Sequence, residues 1–171
     1  MTAKLLIARI VYWLQGLREN PRDLFCELGV EPTDHVLEIG CALGYHTAPL
    51  ASIVTRGKLC AVDVWREGID HARTRIGSAH HVQLLCLSAD TVSLPASSLD
   101  KIVCFDTLHA LPDPAQAVKQ WTTWLKPGGV LLYKDPEIPP DDVSVHAGGS
   151  LRCVNVVRGI CMLSRAPRGP V

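Results

Sequence analysis

The sequence predicts an α/β fold in which five parallel strands alternate with helices and an antiparallel pair completes the sheet. Three observations carry this. Short apolar runs recur between helix-like stretches, the rhythm of βαβ units with right-handed crossovers. Glycine and proline punctuate most of the junctions between them. The last two apolar runs, Leu151–Val157 and Ile160–Arg165, are separated only by Arg158-Gly159. That link is too short for a parallel crossover, so the two runs pair antiparallel.

Residues 2–18 read as an amphipathic helix. Leu6, Ile10, Trp13 or Leu14, and Leu17 recur at helical spacing, while Lys4, Gln15 and Arg18 can face water. Asn20-Pro21 ends it, because the residue before proline resists the α region. A second helix is expected over 22–28, stopped by Gly29, and 31–34 form the turn into the first strand, 35–39. That strand is a short apolar run, as a buried parallel strand should be. The chain then breaks at Gly40, reaches Gly44 and becomes helical over 45–55, with Arg56-Gly57 closing the helix. The second strand is 58–63. The next helix, 66–76, carries Ile69, Ala72 and Ile76 on one face and stops at Gly77. The third strand, 82–87, leads into Ser88-Ala89-Asp90 and a Ser- and Pro-containing loop over 91–98. The fourth, 101–105, ends at Asp106. Asp113-Pro114 opens a helix running to 125, a cap followed by proline at the first position. Lys126-Pro127-Gly128-Gly129 predicts a sharp turn before the fifth strand, 130–134, and the proline-rich stretch 136–142 is expected to be irregular.

The whole chain, 171 residues, is expected to form one domain, with residues 1–20 as an N-terminal helix placed to act as a lid. Its 47% hydrophobic and 20% charged residues suit a globular protein with a normal core. Seventeen basic residues balance seventeen acidic ones, which gives no evident nucleic-acid stripe. Arg152, Arg158, Arg165 and Arg168 make the C-terminal end locally basic, read as a solvated hairpin. The seven cysteines are odd in number and include no C-x-x-C; Cys60, Cys86 and Cys104 lie in apolar runs and behave as small hydrophobes. This predicts a reduced, cytoplasmic protein without a disulfide framework or a metal site, since His80-His81 with Cys86 lacks a metal-ligand spacing. The apolar stretch 5–17 is broken by Arg9 and lacks a small-residue cleavage site, so it is neither a secretion signal nor a membrane span.

The chemistry gathers at Glu38-x-Gly40-Cys41-Ala42-x-Gly44. Strand, glycine-punctuated turn and helix bring backbone N–H groups and a helix N-terminus close to a ligand. Nineteen residues after Gly44, Asp63 ends the second strand, where an acid can accept hydrogen bonds from a ribose; a helix cap is the alternative reading. The dinucleotide fingerprint G-x-G-x-x-G is not met.

The loop resembles motif I of the class I S-adenosylmethionine (SAM) methyltransferases, D/E-x-G-x-G-x-G. Further stations match: Asp63, Ala89-Asp90 after the third strand, and Leu125-Lys126-Pro127-Gly128-Gly129 before the fifth. Leu108-His109-Ala110-Leu111-Pro112-Asp113-Pro114 is similar to the type 11 branch, which includes ubiquinone/menaquinone-biosynthesis methyltransferases. The resemblance spans residues 20–165 and implies a Rossmann-like three-layer α/β/α fold with strand order 3-2-1-4-5-7-6. A dehydrogenase offers no counterpart to the Leu-Lys-Pro-Gly-Gly turn, so SAM displaces NAD as the expected cofactor.

Carried onto these positions, the resemblance implies that Gly40, Cys41, Ala42 and Gly44 pass close to the methionine and ribose portions. Glu38 reaches from beneath towards the methionyl ammonium. Asp63, with Val64 beside it, takes the ribose hydroxyls. Ala89 and Asp90 take the adenine, Asp90 accepting from its amino group unless it only forms an Asx turn. Asp106 and Thr107 stand where the sulfonium methyl points. Ala42 departs from the usual glycine; if its φ is positive, alanine there costs about 1 kcal/mol. Methyl transfer is an in-line displacement that commonly needs a base for the acceptor's proton. His109, three residues past Asp106, is the first candidate, with Tyr45 and His46 next. No Asp/Asn-Pro-Pro-aromatic motif follows the fourth strand, which argues against an adenine or glutamine N-methyltransferase, and the cysteine spacing against an arsenite methyltransferase.

The expected activity is SAM-dependent methyl transfer to a small-molecule acceptor. The alternative is a methyltransferase-like protein that binds SAM without transferring methyl, favoured by Ala42, by the absence of a strong base and by the short chain. Only residues 1–20 and 136–149 are available to cover an acceptor, which leaves a partner subunit or a homodimer to complete that pocket.

Overall fold

The computed structural model describes residues 20–166. The helix expected over 2–18, its lid role, and Arg168 lie outside the described residues. Helix α1 (Pro21–Glu27) starts with Asn20, whose side chain accepts from the Arg22 N–H at 3.0 Å, and with proline in the first turn. There follow β1 (His35–Ile39), α2 (Thr47–Ile53), β2 (Lys58–Asp63), α3 (Arg66–Ile76), β3 (Val82–Cys86), β4 (Leu99–Phe105), α4 (Pro114–Trp124), β5 (Leu125–Lys134), α5 (Pro140–His146), β6 (Leu151–Val157) and β7 (Ile160–Arg165). One-turn 3-10 helices at Ala89–Thr91 and Leu108–Ala110 sit at the ends of β3 and β4.

The seven strands form one sheet in the order β3-β2-β1-β4-β5-β7-β6. All pairings are parallel except β5 with β7 and β7 with β6. This is the order that the resemblance implied. In the hairpin turn Arg158 and Gly159 both have positive φ, 48° and 77°, the conformation that matches the twist of tightly linked antiparallel strands.

Alternation along the strands divides the core between two faces. Leu37, Ile39, Ile102, Cys104, Leu131 and Tyr133 pack with α4 and α5 through Val118, Trp121 and Val143. Val36, Val103 and Leu132 pack on the other face with Leu24, Phe25 and Leu50 of α1 and α2. Ala61, of that same face, meets Ile69 of α3.

Three expectations about elements are corrected. Lys126-Pro127-Gly128-Gly129 is not a separate turn: β5 begins at Leu125, directly after α4, and the pairing with β4 shifts register between Leu99 and Lys101. Gly128 takes φ 79° inside this bulged start, so the irregularity that sequence assigns to a turn is absorbed within the strand. The proline-rich stretch is only partly irregular, because α5 starts at Pro140 and anchors itself through buried Val143. The helix after Gly44 is shorter than 45–55, since the first residues past the glycine remain in turns.

Among the described residues no helix is long and apolar enough to cross a membrane.

Candidate cofactor site

Parallel β1, β2 and β4 all end at one edge of the sheet, and the loops leaving them shape a cleft that opens to solvent, with a volume of about 100 Å³. Gly40, Asp63, Val64, Ala89 and Thr107 line it, together with Ile39, Leu87, Ser88, Ala110 and Leu111. Val64 is 69% exposed, an apolar side chain left bare beside Asp63.

The loop after β1 is bound to the tip of β2. The N–H groups of Gly40 and Cys41 donate to Val62 O at 2.9 and 3.1 Å, and the Ala42 N–H donates to Asp63 Oδ2 at 2.8 Å. Asp63 Oδ1 accepts the Trp65 N–H at 2.8 Å. Both oxygens of Asp63 are thus oriented by backbone donors, and each keeps a lone pair for a further donor. The carboxylate does not cap α3, whose first turn starts after Trp65 without a side-chain cap. Gly40 has φ 78°, and a Cβ there would fall 2.1 Å from Thr107 Oγ1, so only glycine lets the ends of β1 and β4 meet. Ala42 takes φ 43°, and the conditional strain read from the sequence is therefore present.

Glu38 lies beneath this loop, 3% exposed, within β1. Its Oε2 and the Thr47 Oγ1 are buried without a hydrogen-bond partner among the described residues. Burial pushes the Glu38 carboxyl up to about 8; the Thr47 hydroxyl nearby eases the shift without closing a well-formed hydrogen bond, and the charge of Asp63 adds to it. Burial first, then Glu38 and Asp63, keep the Cys41 thiol protonated, so it is no nucleophile.

Asp90, Asp106, Gly44, His46 and His109 are not among the residues lining the cleft. Asp90 is exposed, in the one-turn helix that begins with cleft-lining Ala89. Asp106 is exposed at the end of β4 with φ 50°, its N–H donating to Lys134 O at 2.7 Å. Thr107 donates its hydroxyl to Phe105 O at 2.8 Å. Gly44 packs behind the loop, where a Cβ would lie 2.8 Å from Ala72 Cα. His46 is packed at the edges of Phe25, Tyr45 and Phe105, with ring centroids 5.0 to 5.8 Å away. Burial, helped by the charge of Lys134, lowers it to about 4. His109 lies one residue before Ala110 in the second one-turn helix, and its Nδ1 sits 3.0 Å from Asp135 Oδ2. Sequence reasoning missed Asp135 and Thr47. The signal for Asp135 was its place directly after the fifth strand, the same position that singled out Asp63 and Asp106.

An α/β sheet of this order, with a glycine loop over the end of β1 and an acid at the tip of β2, defines a Rossmann-like nucleoside-cofactor fold. A family model described as "Methyltransferase domain" matches residues 37–133, more than half of the chain. The chain belongs to the class I SAM-dependent methyltransferase family, in its type 11 branch, and SAM is the cofactor that goes with it. It is 30% identical over 119 residues to the carboxy-S-adenosyl-L-methionine synthase of Dichelobacter nodosus, covering 67% of this chain and 49% of that protein. It is 30% identical over 103 residues to the ubiquinone biosynthesis O-methyltransferase of Coxiella burnetii, covering 58% and 42%. The chain thus spans about half the length of these curated relatives or less. Its fold matches the N-methyltransferase NodS of Bradyrhizobium japonicum, solved with S-adenosyl-L-homocysteine, with a TM-score of 0.66 at 24% identity over 89% of this chain and 91% of that one.

The residues present fit SAM. Glu38 is a buried acid with an orphaned oxygen under the loop, where a cation would complete it. Asp63 has oriented oxygens free to accept more donors. Val64 and Ala89 provide apolar surface in the same cleft.

Proposed function

We propose that the chain binds SAM across the ends of β1, β2 and β4 and transfers its methyl group to a small-molecule acceptor. The observation that carries this reading is the buried Glu38 carboxyl, whose Oε2 has no hydrogen-bond partner among the described residues, beneath a glycine loop whose outer side opens on Asp63. SAM, when bound, supplies an electrophilic methyl on a sulfonium centre. Glu38 would hold the methionyl ammonium, with its neighbour Thr47 able to share the donor. Asp63 would accept the ribose hydroxyls, and Val64 and Ala89 would flank the adenine, with Asp90 at its edge. Gly40, Cys41, Ala42 and Gly44 would line the methionine side, and Asp106 and Thr107 would border the methyl. His109 would take the acceptor's proton. The free cysteines suit a reducing, cytoplasmic setting.

Titration calorimetry with SAM, S-adenosylhomocysteine and NAD tests the cofactor. Micromolar binding of the two SAM species, weakened by Asp63→Asn, is expected. Binding of NAD in their place, or of none of the three, refutes it. A second reading, cofactor binding without methyl transfer, draws support from strained Ala42. Incubation with methyl-labelled SAM and a metabolite extract separates the two, since only the first yields labelled product.

A further inference from the structure

Asp135 follows β5 directly, and its side chain is fully buried. Four donors surround it. Oδ1 accepts the N–H groups of Glu137 at 3.0 Å and Ile138 at 3.3 Å, Oδ2 accepts the His109 N–H at 3.3 Å, and the imidazole Nδ1 of His109 lies 3.1 and 3.0 Å from the two oxygens. A buried carboxylate ringed by donors stays ionised and has no proton to offer. The proton in the imidazole contact therefore sits on Nδ1, and the lone pair of the neutral ring is at Nε2. Nε2 is 3.9 Å from Glu137 Oε1, beyond hydrogen-bond distance, on a side chain that keeps 28% of its surface exposed. His109 is not itself among the residues lining the cleft, but Ala110, which follows it, and Thr107 and Leu111, two residues to either side, are.

We propose that Asp135 is a positioning residue that holds His109 as the Nδ1–H tautomer and presents Nε2 as the proton-accepting atom of the site. The part of this concerning methyl transfer rests on the function proposed above; the tautomer does not. In the reaction the acceptor's proton passes to Nε2, its electron pair stays on the acceptor heteroatom, and the ring becomes an imidazolium held between Asp135 and Glu137. Among the described residues, the charged groups that act on His109 are acidic: Asp135 and Glu137 after β5, and Asp106 after β4. Together they raise its affinity for a proton, the hydrogen bond that His109 donates to Asp135 foremost. They also define the acceptor group. A hydroxyl or an amine must lose a proton and is tolerated there. A carboxylate or phosphate already carries its lone pair and is repelled by three acids.

Long-range proton–nitrogen NMR of the uniformly labelled, cofactor-free chain tests the tautomer, with His109 assigned by its loss in His109→Asn. The expected result is an unprotonated Nε2 above the titration midpoint, and a midpoint above the ordinary histidine value. In Asp135→Asn the midpoint falls towards about 6.5 and the tautomers mix. Glu137→Gln lowers the midpoint but leaves the tautomer unchanged, and serves if Asp135→Asn does not fold. A protonated Nε2 in the native chain overturns the proposal. Failure to bind SAM with the tautomer as expected would fault the cofactor reading and not this one. Labelled products stable to mild alkali, as methyl ethers and methylamines are, support the acceptor class; alkali-labile methyl esters overturn it.

Discussion

At the scale of single residues, Glu38 and Ala42 stand out because each departs from what burial or backbone geometry prefers. The sequence showed that an acid precedes the glycine loop; it did not show that its Oε2 lacks a hydrogen-bond partner among the described residues, because that depends on how tightly β1 is covered. A carboxyl that titrates near 8 is mostly protonated at pH 7. Docking an ammonium against it favours the ionised form, so SAM binding at pH 7 should release about one proton. Calorimetry in buffers of different ionisation enthalpy reads this directly, and Glu38→Gln should remove the release while weakening affinity. Ala42 carries the other cost. At φ 43° its Cβ is strained, and Ala42→Gly should gain up to about 1 kcal/mol in urea unfolding, the relief partly offset by the greater freedom of glycine in the unfolded chain. Unchanged or lower stability would mean that the loop relaxes around the alanine.

At the scale of elements, most strands and helices were legible because their pattern is local. His35–Ile39, Lys58–Asp63 and Arg66–Ile76 fall where apolar runs and glycine stops put them. Two features were not legible for opposite reasons. Helix α5 buries little beyond Val143 and Ala147, too few positions to give a period, and its prolines argue locally for a loop. The start of β5 carries the glycines of a turn, yet pairing with Leu99 makes it a strand. A polar bracket at the opposite end of the sheet from the cleft was equally hidden, since its members lie far apart in sequence. Asp100 accepts the His35 N–H at 2.8 Å and Lys126 Nζ at 2.8 Å on both oxygens, while Lys101 pairs with Asp34 at 3.2 Å. Asp100→Ala leaves the His35 N–H without its acceptor and should cost about 2 kcal/mol in denaturant unfolding, with SAM affinity unchanged.

For the whole molecule, the buried titrating groups set the pH dependence of stability. Glu38 is raised from 4.5 to about 8, so above 4.5 the unfolded chain sheds a proton that the folded chain keeps, and stability falls as pH rises to 8. His46 is lowered from 6.5 to about 4, so between these values the unfolded chain holds the extra proton and stability rises with pH. Each slope is at most about 1.4 kcal/mol per pH unit, and the two oppose one another between pH 4.5 and 6.5. Above 6.5 only the Glu38 loss remains, and the raised proton affinity of His109 adds to it. Below the ordinary aspartate range, Asp100 and Asp135, both held low in the folded chain, lose their contribution. The urea midpoint should therefore be flat from about pH 4.5 to 6.5 and decline on both sides. A midpoint that climbs from 6.5 to 8 would contradict the burial of Glu38 as a neutral acid.

Strand β7, last of the seven among the described residues, sits inside the sheet between β5 and β6. While a ribosome is still extending the polypeptide, β6 has emerged but has no neighbour to join, and β5 presents an open edge of Leu131, Leu132 and Tyr133. Until β7 emerges, at most the strands β3-β2-β1-β4-β5 can be paired in their final order. Once Arg158 and Gly159 have closed their turn, the final pair can form within microseconds and zip onto β5 as one piece. The interval before that event is when a nascent-chain chaperone has most to cover.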